Sequence, residues 1–283
     1  FSTALARIKV ASAPVLLGVT SPAEARLTKD LITSCYPDKR IRVVTVKQSH
    51  LLEMQAFIRS INTRLSEVDV LIFNGAMSTG VDIQAEVDSI ICLISRPLSP
   101  SDGVQMLGRA RKTAARFAWV PDSIEGLDND AADMFQSLEL ATTLTGVEAS
   151  KPVRSLARVH SRHEARRNAE VANFLAVFRA YNHADGSATQ AVVVRFDKAI
   201  AEKLKTIREG HTAQKRADTL DIDQVETITP EMLDTIRMIG AQEITPEIDA
   251  GYLRYKIETS TGQPINEALY DKYHTRDCLL YTS

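Results

Sequence analysis

Two short segments hold the residue types that could bind a phosphorylated ligand and polarise it. The first follows an apolar run, Val68–Phe73, and reads Asn74-Gly75-Ala76-Met77-Ser78-Thr79-Gly80-Val81-Asp82. Small residues leave backbone N–H groups open to a phosphate, and Gly75 and Gly80 supply the conformational latitude of such a loop. Asp82, two residues after the second glycine, suits a ribose hydroxyl or a coupling to a neighbouring charge. The second segment is Gln105-Met106-Leu107-Gly108-Arg109-Ala110-Arg111-Lys112. Helical spacing would put Gln105, Gly108, Arg109 and Lys112 on one stripe, an odd composition for a core face and a plausible one for meeting a polyanion. A glycine in a helix interior costs about 1 kcal/mol relative to alanine, so Gly108 argues for a close approach. Arg109 offers a planar, always-charged fork of the kind that stabilises a transferring phosphoryl group. Taken singly, the first segment also fits a plain strand-to-helix turn, and the second a solvated basic face.

The elements around these segments read as an α/β fold. Strands are predicted at Pro14–Val19, Ile41–Val46, Val68–Phe73, Ser89–Ser95 and Arg116–Val120, rich in Val, Ile and Leu with little alternation, as expected of parallel strands covered on both faces. In such an open sheet, ligands gather at the carboxyl ends of the strands, where the loop after Phe73 emerges. Ser21-Pro22-Ala23-Glu24 is a capping box that opens a helix to about Thr33, and Ser99-Pro100-Ser101-Asp102 repeats that grammar before Gln105. A further helix is expected over Leu51–Leu65. Beyond Pro121 the pattern becomes mainly helical, with helices at Asp128–Thr145 and Ser161–Asn182, a turn at Asn182–Ser187 and a short apolar segment at Ala191–Phe196. Thr229-Pro230-Glu231 and Thr245-Pro246-Glu247 mark two more helix starts.

The bulk numbers narrow the function classes. The chain has 283 residues, 44% hydrophobic and 25% charged, with a formal net charge of -2, so nucleic-acid affinity would have to come from local clusters of Lys and Arg. One such cluster is Arg154, Arg158, Arg162 and Arg166, a slowly turning basic ridge on a helix, which could track phosphates or simply be solvated. No run approaches the roughly 18 apolar residues of a membrane span, and no secretory signal opens the chain, which reads as cytoplasmic. Cys35, Cys92 and Cys278 form no ligand spacing, and the six histidines form no HxxxH or HExxH pair. Cys35 and Cys92 therefore read as core thiols, and no metal site is expected in this chain.

Together and in order, separated by one strand, the two segments resemble motifs V and VI of superfamily-two helicases: a strand, Ser78-Thr79-Gly80-Val81-Asp82, another strand, then Gln-x-x-Gly-Arg. Pro14–Pro22 looks like motif IV of that family. The resemblance covers residues 14–120 and implies the second RecA-like lobe of a motor: an open parallel sheet with flanking helices, followed here by a mainly helical C-terminal domain. Carried over, it implies that Arg109 is an arginine finger and Gln105 a nucleotide-side contact. It places Asp82 near the ribose or in the coupling network, with Gly80 and Gly108 lining the nucleotide. Thr20, Ser21, Ser78 and Thr79 would face the nucleic-acid strand, joined by Arg154, Arg158 and Arg162. The family often has a second arginine three residues after the first. Here Lys112 stands at that position and Arg111 one before it, so the second cation stays open between them. The helical half, through Asn173-Phe174-Leu175, Ala184-Asp185-Gly186 and Tyr252–Lys256, is similar to the tails of phage and plasmid replication helicases related to viral origin-binding proteins. This implies single-stranded DNA as partner, and replication proteins besides.

The sequence contains no G-x-x-x-x-G-K-[ST] and no acidic Walker-B-like cluster, so the groups that cradle ATP and hold Mg²⁺ would belong to a first lobe. The chain opens on Phe1, and Cys278–Ser283 resembles the translation of a sequencing-library adapter. The expected organisation is therefore a fragment: a lobe at 1–121, a helical connector at 122–150, an accessory domain at 151–277 and an adapter-derived tail at 278–283. Such a fragment would not hydrolyse ATP alone. The competing reading is a non-enzymatic replication initiator or DNA-binding adaptor that keeps a motor-like lobe. A dinucleotide-binding oxidoreductase is the weakest, since no G-x-G-x-x-G follows a strand.

Overall fold

Five strands, Val15–Val19 (β1), Ile41–Val44 (β2), Val70–Phe73 (β3), Ile83–Leu93 (β4) and Ala110–Trp119 (β5), form one sheet in the order β2-β3-β1-β4-β5. Every pairing is parallel. The structure is a computed structural model that describes residues 1–45, 51–77, 81–94, 98–144, 150–184, 186–192, 197–221, 228, 232–233 and 246–274. β1 and β3 are buried at every position, as central strands covered on both faces must be. Because alternate side chains point to opposite faces, Leu16, Leu71, Phe73, Ile90 and Cys92 enter one core, while Val15, Leu17, Val70, Ile72 and Ile91 enter another. The expected α/β class, a parallel sheet with flanking helices followed by a helical region, is what the chain adopts.

Helices Ser2–Val10 (α1) and Pro22–Cys35 (α2) cover the second core; Leu52–Arg59 (α3), Ile61–Arg64 (α4) and Pro100–Leu107 (α5) cover the first. Gly18 sits where β1 meets α5: a Cβ there would lie 2.7 Å from Met106 Cε and 2.8 Å from Cys92 Sγ. Burial pushes the Cys92 thiol up to about 12, so it is an inert core group. Cys35 is half-buried, and Cys278 lies outside the described residues.

The capping expectations hold with one change. Ser99 and Asp102 form the reciprocal box. Ser21 Oγ accepts from Glu24 N at 3.1 Å, but the Glu24 carboxylate takes the Thr20 N–H at 2.9 Å instead of that of Ser21. The predicted Leu51–Leu65 helix is broken at Ser60, whose hydroxyl donates to the Ala56 carbonyl at 2.6 Å, into α3 and α4, followed by a 3₁₀ turn at Leu65–Glu67.

β4 and β5 are longer than the sequence suggests, beginning at Ile83 and Ala110 instead of Ser89 and Arg116. Their amino-terminal halves run past the start of β1, which first meets β4 at Val15↔Ser89, and pair with each other alone. A two-stranded extension with an exposed face needs no apolar run. β3 begins at Val70, later than expected, and β2 ends at Val44. Val46 lies outside the described residues.

The helical half begins with Ala131–Leu144 (α6). The single helix expected over Ser161–Asn182 is two: Lys151–Ala172 (α7) and Phe174–Ala184 (α8), parted at Asn173. Lys198–Leu220 (α9), capped by Asp197, was not anticipated; Pro246–Thr261 (α10) and Glu267–His274 (α11) follow. Ala191 and Val192 have no regular structure, and residues 193–196 and 229–231 lie outside the described residues. Cores continue across the 122–150 region: Val171, Phe174 and Phe178 join the first sheet core and Leu204 the second. Gly103 permits this approach, since a Cβ there would lie 2.6 Å from Ile94 Cδ1 and 3.2 Å from Phe178 Cε2.

Candidate functional site

The two chemical segments converge at the amino-terminal ends of β4 and β5, not at the carboxyl ends of the strands where the ligand site was expected. The chain leaves β3 at its carboxyl end, where Asn74 N donates to Val44 O at 3.3 Å, then returns to the opposite edge to start β4 at Ile83. Ile83 N donates to Arg109 O at 3.1 Å, which sets the two segments side by side. Arg109 Nη1 donates to Val81 O at 3.0 Å, and Arg111 Nε donates to Asp82 Oδ1 at 2.8 Å. An open cleft of about 740 Å³ lies here, lined among others by Asp82, Gln105, Gly108, Arg109, Arg111 and Tyr181.

α5 ends at Leu107, which corrects the expected helical stripe. Gly108 is the C-cap, at φ −72° and ψ −8°, and Arg111 and Lys112 belong to β5. Successive strand residues face opposite ways, so these two cations part company. Arg111 lines the cleft, whereas Lys112 stands opposite Glu86 in the β4–β5 register and does not line it. Gly108 is no interior helical glycine either: a Cβ there would meet nothing closer than 3.5 Å. Packing does not require its bareness, and the residue lines the cleft. Gly75 lies in a 3₁₀ turn without positive φ, and a Cβ there would meet nothing within 4 Å, so the fold does not use its latitude.

The electrostatics follow from these contacts. Hydrogen bonds from Arg111, then from Gln84 Nε2 at 3.0 Å, hold the Asp82 carboxyl below its ordinary range. Arg109 is pulled below the usual arginine value, first by partial burial and then by the charge of Arg111, with Asp82 acting the other way. Arg109 Nε is buried and has no hydrogen-bond partner among the described residues.

Other expected positions are scattered. Ser78, Thr79 and Gly80 lie outside the described residues. Thr20 and Ser21 follow β1 at its carboxyl end, the edge away from the cleft, and both hydroxyls serve the α2 cap. Thr20 is 8% exposed. The basic ridge exists on α7, but part of it is engaged within the chain. Arg154 Nε bonds Glu139 Oε1 at 2.8 Å, the Arg158 guanidinium lies 4.9 Å from the Phe135 ring centroid, and Arg166 Nε meets Glu170 Oε1 at 3.2 Å. Arg162 is exposed. Among the described residues no cluster of three His, Cys, Asp or Glu could hold a metal, and no helix is long and apolar enough to cross a membrane.

Two contributors were missed. Asn62 on α4 donates to Asp82 O at 3.0 Å and accepts from Gln84 N at 2.7 Å and Ala85 N at 3.1 Å. It thereby ties down the irregular start of β4, where the register shifts between Ile83 and Glu86. Nothing local in Ile61-Asn62-Thr63 announces that role. Tyr181 and Ala184 close the cleft from α8, and the spacing Phe174, Phe178, Tyr181 is a signal that could have placed Tyr181 beside the packed face.

No family model matches the sequence, and no curated protein matches it. Partial likeness to solved structures exists. The yeast DEAD-box splicing factor Prp28 is 13% identical at a TM-score of 0.36, over 58% of this chain and 34% of that one. The C-terminal part of the Fun30 ATPase domain is 11% identical at 0.31, over 54% and 48%. The Hef helicase domain of Pyrococcus furiosus is 16% identical at 0.27, over 44% and 24%. This chain thus spans less than half the length of each.

Proposed function

We propose that residues 14–120 are the second motor lobe of an ATP-dependent superfamily-two helicase or translocase. The whole protein would act on DNA, single-stranded where tracked, in plasmid or phage replication. The observation that carries this reading is the joining of two distant segments by Arg111–Asp82 and Arg109–Val81 at one cleft. Such a cleft presents two guanidinium groups, a carboxylate, an amide and a bare glycine, which is a donor set for a nucleoside triphosphate. ATP and its Mg²⁺ would be held chiefly by a first lobe, with Arg109 and Arg111 meeting the phosphates and Asp82 the ribose side. Mg²⁺ supplies charge neutralisation at the β- and γ-phosphates. Arg111 is the second cation in this reading, because Lys112 faces away from the cleft.

The arginines stabilise negative charge on the equatorial oxygens; the 283-residue chain by itself would not turn over ATP. Arg162, with Arg154 and Arg158 once released from Glu139 and Phe135, would contact phosphates of the strand. The reading frame upstream tests the proposal. A P-loop lysine and an acidic Mg²⁺-binding pair there support a motor. A start codon immediately before Phe1 with neither would leave the DNA-binding adaptor in its place.

A further inference from the structure

The cleft has a wall that belongs to neither expected motif. Tyr181, on α8, lines it together with Ala184, as do Asp82, Arg109 and Arg111. The ring is half-buried, and its hydroxyl donates to Glu170 Oε1 at 3.2 Å, so its orientation is fixed from α7 before any ligand arrives. Glu170 is itself held by Arg166. α8 is fixed in turn by Phe174 and Phe178, which lie in the core beneath the sheet. A pre-oriented aromatic side chain in a cleft with small residues and cations is a poor match for a bare phosphate. It suits a flat aromatic ring that carries phosphate, and the cleft volume is in the range of small-molecule sites.

We propose that Tyr181 is a specificity-determining residue of this cleft, the platform on which the base of a nucleoside triphosphate stacks while Arg109 and Arg111 take its phosphates. This rests on the nucleotide reading of the cleft given above. It adds that the helical half supplies part of nucleotide recognition. Stacking needs the ring and not the hydroxyl, whereas the hydroxyl only fixes the ring's angle through Glu170. Glu170 is a positioning residue.

The test is titration of the full-length protein with ATP and, separately, with inorganic tripolyphosphate, by calorimetry. The wild type is expected to bind ATP at least about tenfold more tightly than tripolyphosphate, the size of one base–aromatic stack. Tyr181→Ala should abolish that preference while leaving tripolyphosphate binding unchanged, and Tyr181→Phe should keep it. An unchanged ATP preference in Tyr181→Ala overturns the proposal and leaves the nucleotide reading standing. Equal weakening of both ligands in Tyr181→Ala and Tyr181→Phe also overturns it, showing that the residue only supports the wall. A wild type that binds neither probe overturns the nucleotide reading of the cleft, and the role of Tyr181 with it.

Discussion

Arg111 reaches Asp82 across 29 positions of sequence, Nε to Oδ1 at 2.8 Å, and both side chains remain largely exposed. An exposed pair of this kind contributes little to stability. In the proposed function the pair orients a guanidinium and a carboxylate at the cleft. Arg111→Ala is therefore expected to leave the melting temperature nearly unchanged while lowering ATP turnover of the full-length motor. A large loss of stability would mean that the pair is a structural strut.

The same pair has a pH signature. The Asp82 carboxyl is held below its ordinary value of 3.8, chiefly by Arg111. A group depressed in the folded state contributes stability above that ordinary value and loses it as pH falls through the folded value. The pair should therefore persist at pH 3.8 and break only in more acidic solution. Side-chain carboxyl NMR should find the Asp82 midpoint moving up toward 3.8 in Arg111→Ala. Identical midpoints in the two proteins would contradict the assignment.

Gly108 and Gly103 should respond oppositely to alanine. Gly108→Ala has room and a compatible backbone, so it should stabilise the fold by about 0.4–1 kcal/mol through the unfolded chain. It should nevertheless weaken nucleotide binding by adding a methyl group at the cleft. Gly103→Ala would press on Ile94 and Phe178 and cost about 1–3 kcal/mol. Denaturant melts of the two variants decide this. Destabilisation by Gly108→Ala would show that the glycine serves packing.

Asn62→Ala removes three hydrogen bonds from the start of β4. Since these groups are open to water, the cost should be modest, about 1–3 kcal/mol. Hydrogen exchange should show faster exchange at Gln84 and Ala85, with the β1–β3 amides unaffected. Unchanged protection at those two amides would remove the clamp.

For the ridge, neutralising Arg158 and Arg162 should reduce the salt dependence of DNA binding, by roughly 0.7–0.9 in slope per lost phosphate contact. An unchanged slope means that α7 does not touch the strand.

The sheet was legible because buried parallel strands leave apolar runs such as Val15-Leu16-Leu17 and Val70-Leu71-Ile72-Phe73. The site was legible only in outline. Asp82, Arg109 and Gln105 stood out by type and spacing, and the structure brings them to one cleft. A helical period carried past Leu107 misplaced Lys112, because Gly108 is the helix stop and not an interior glycine. The early starts of β4 and β5 were hidden, since their polar residues pair outside the main sheet. Tyr181 and Asn62 act on the cleft through tertiary contacts, which no local pattern encodes.

DNA-stimulated ATP hydrolysis by the full-length protein, compared with its Arg109→Ala variant, bears most directly on the motor reading. An arginine that stabilises the transferring phosphoryl group contributes about 10³–10⁵-fold in rate, so turnover should fall by that order with the fold intact. Unchanged turnover in Arg109→Ala would contradict it.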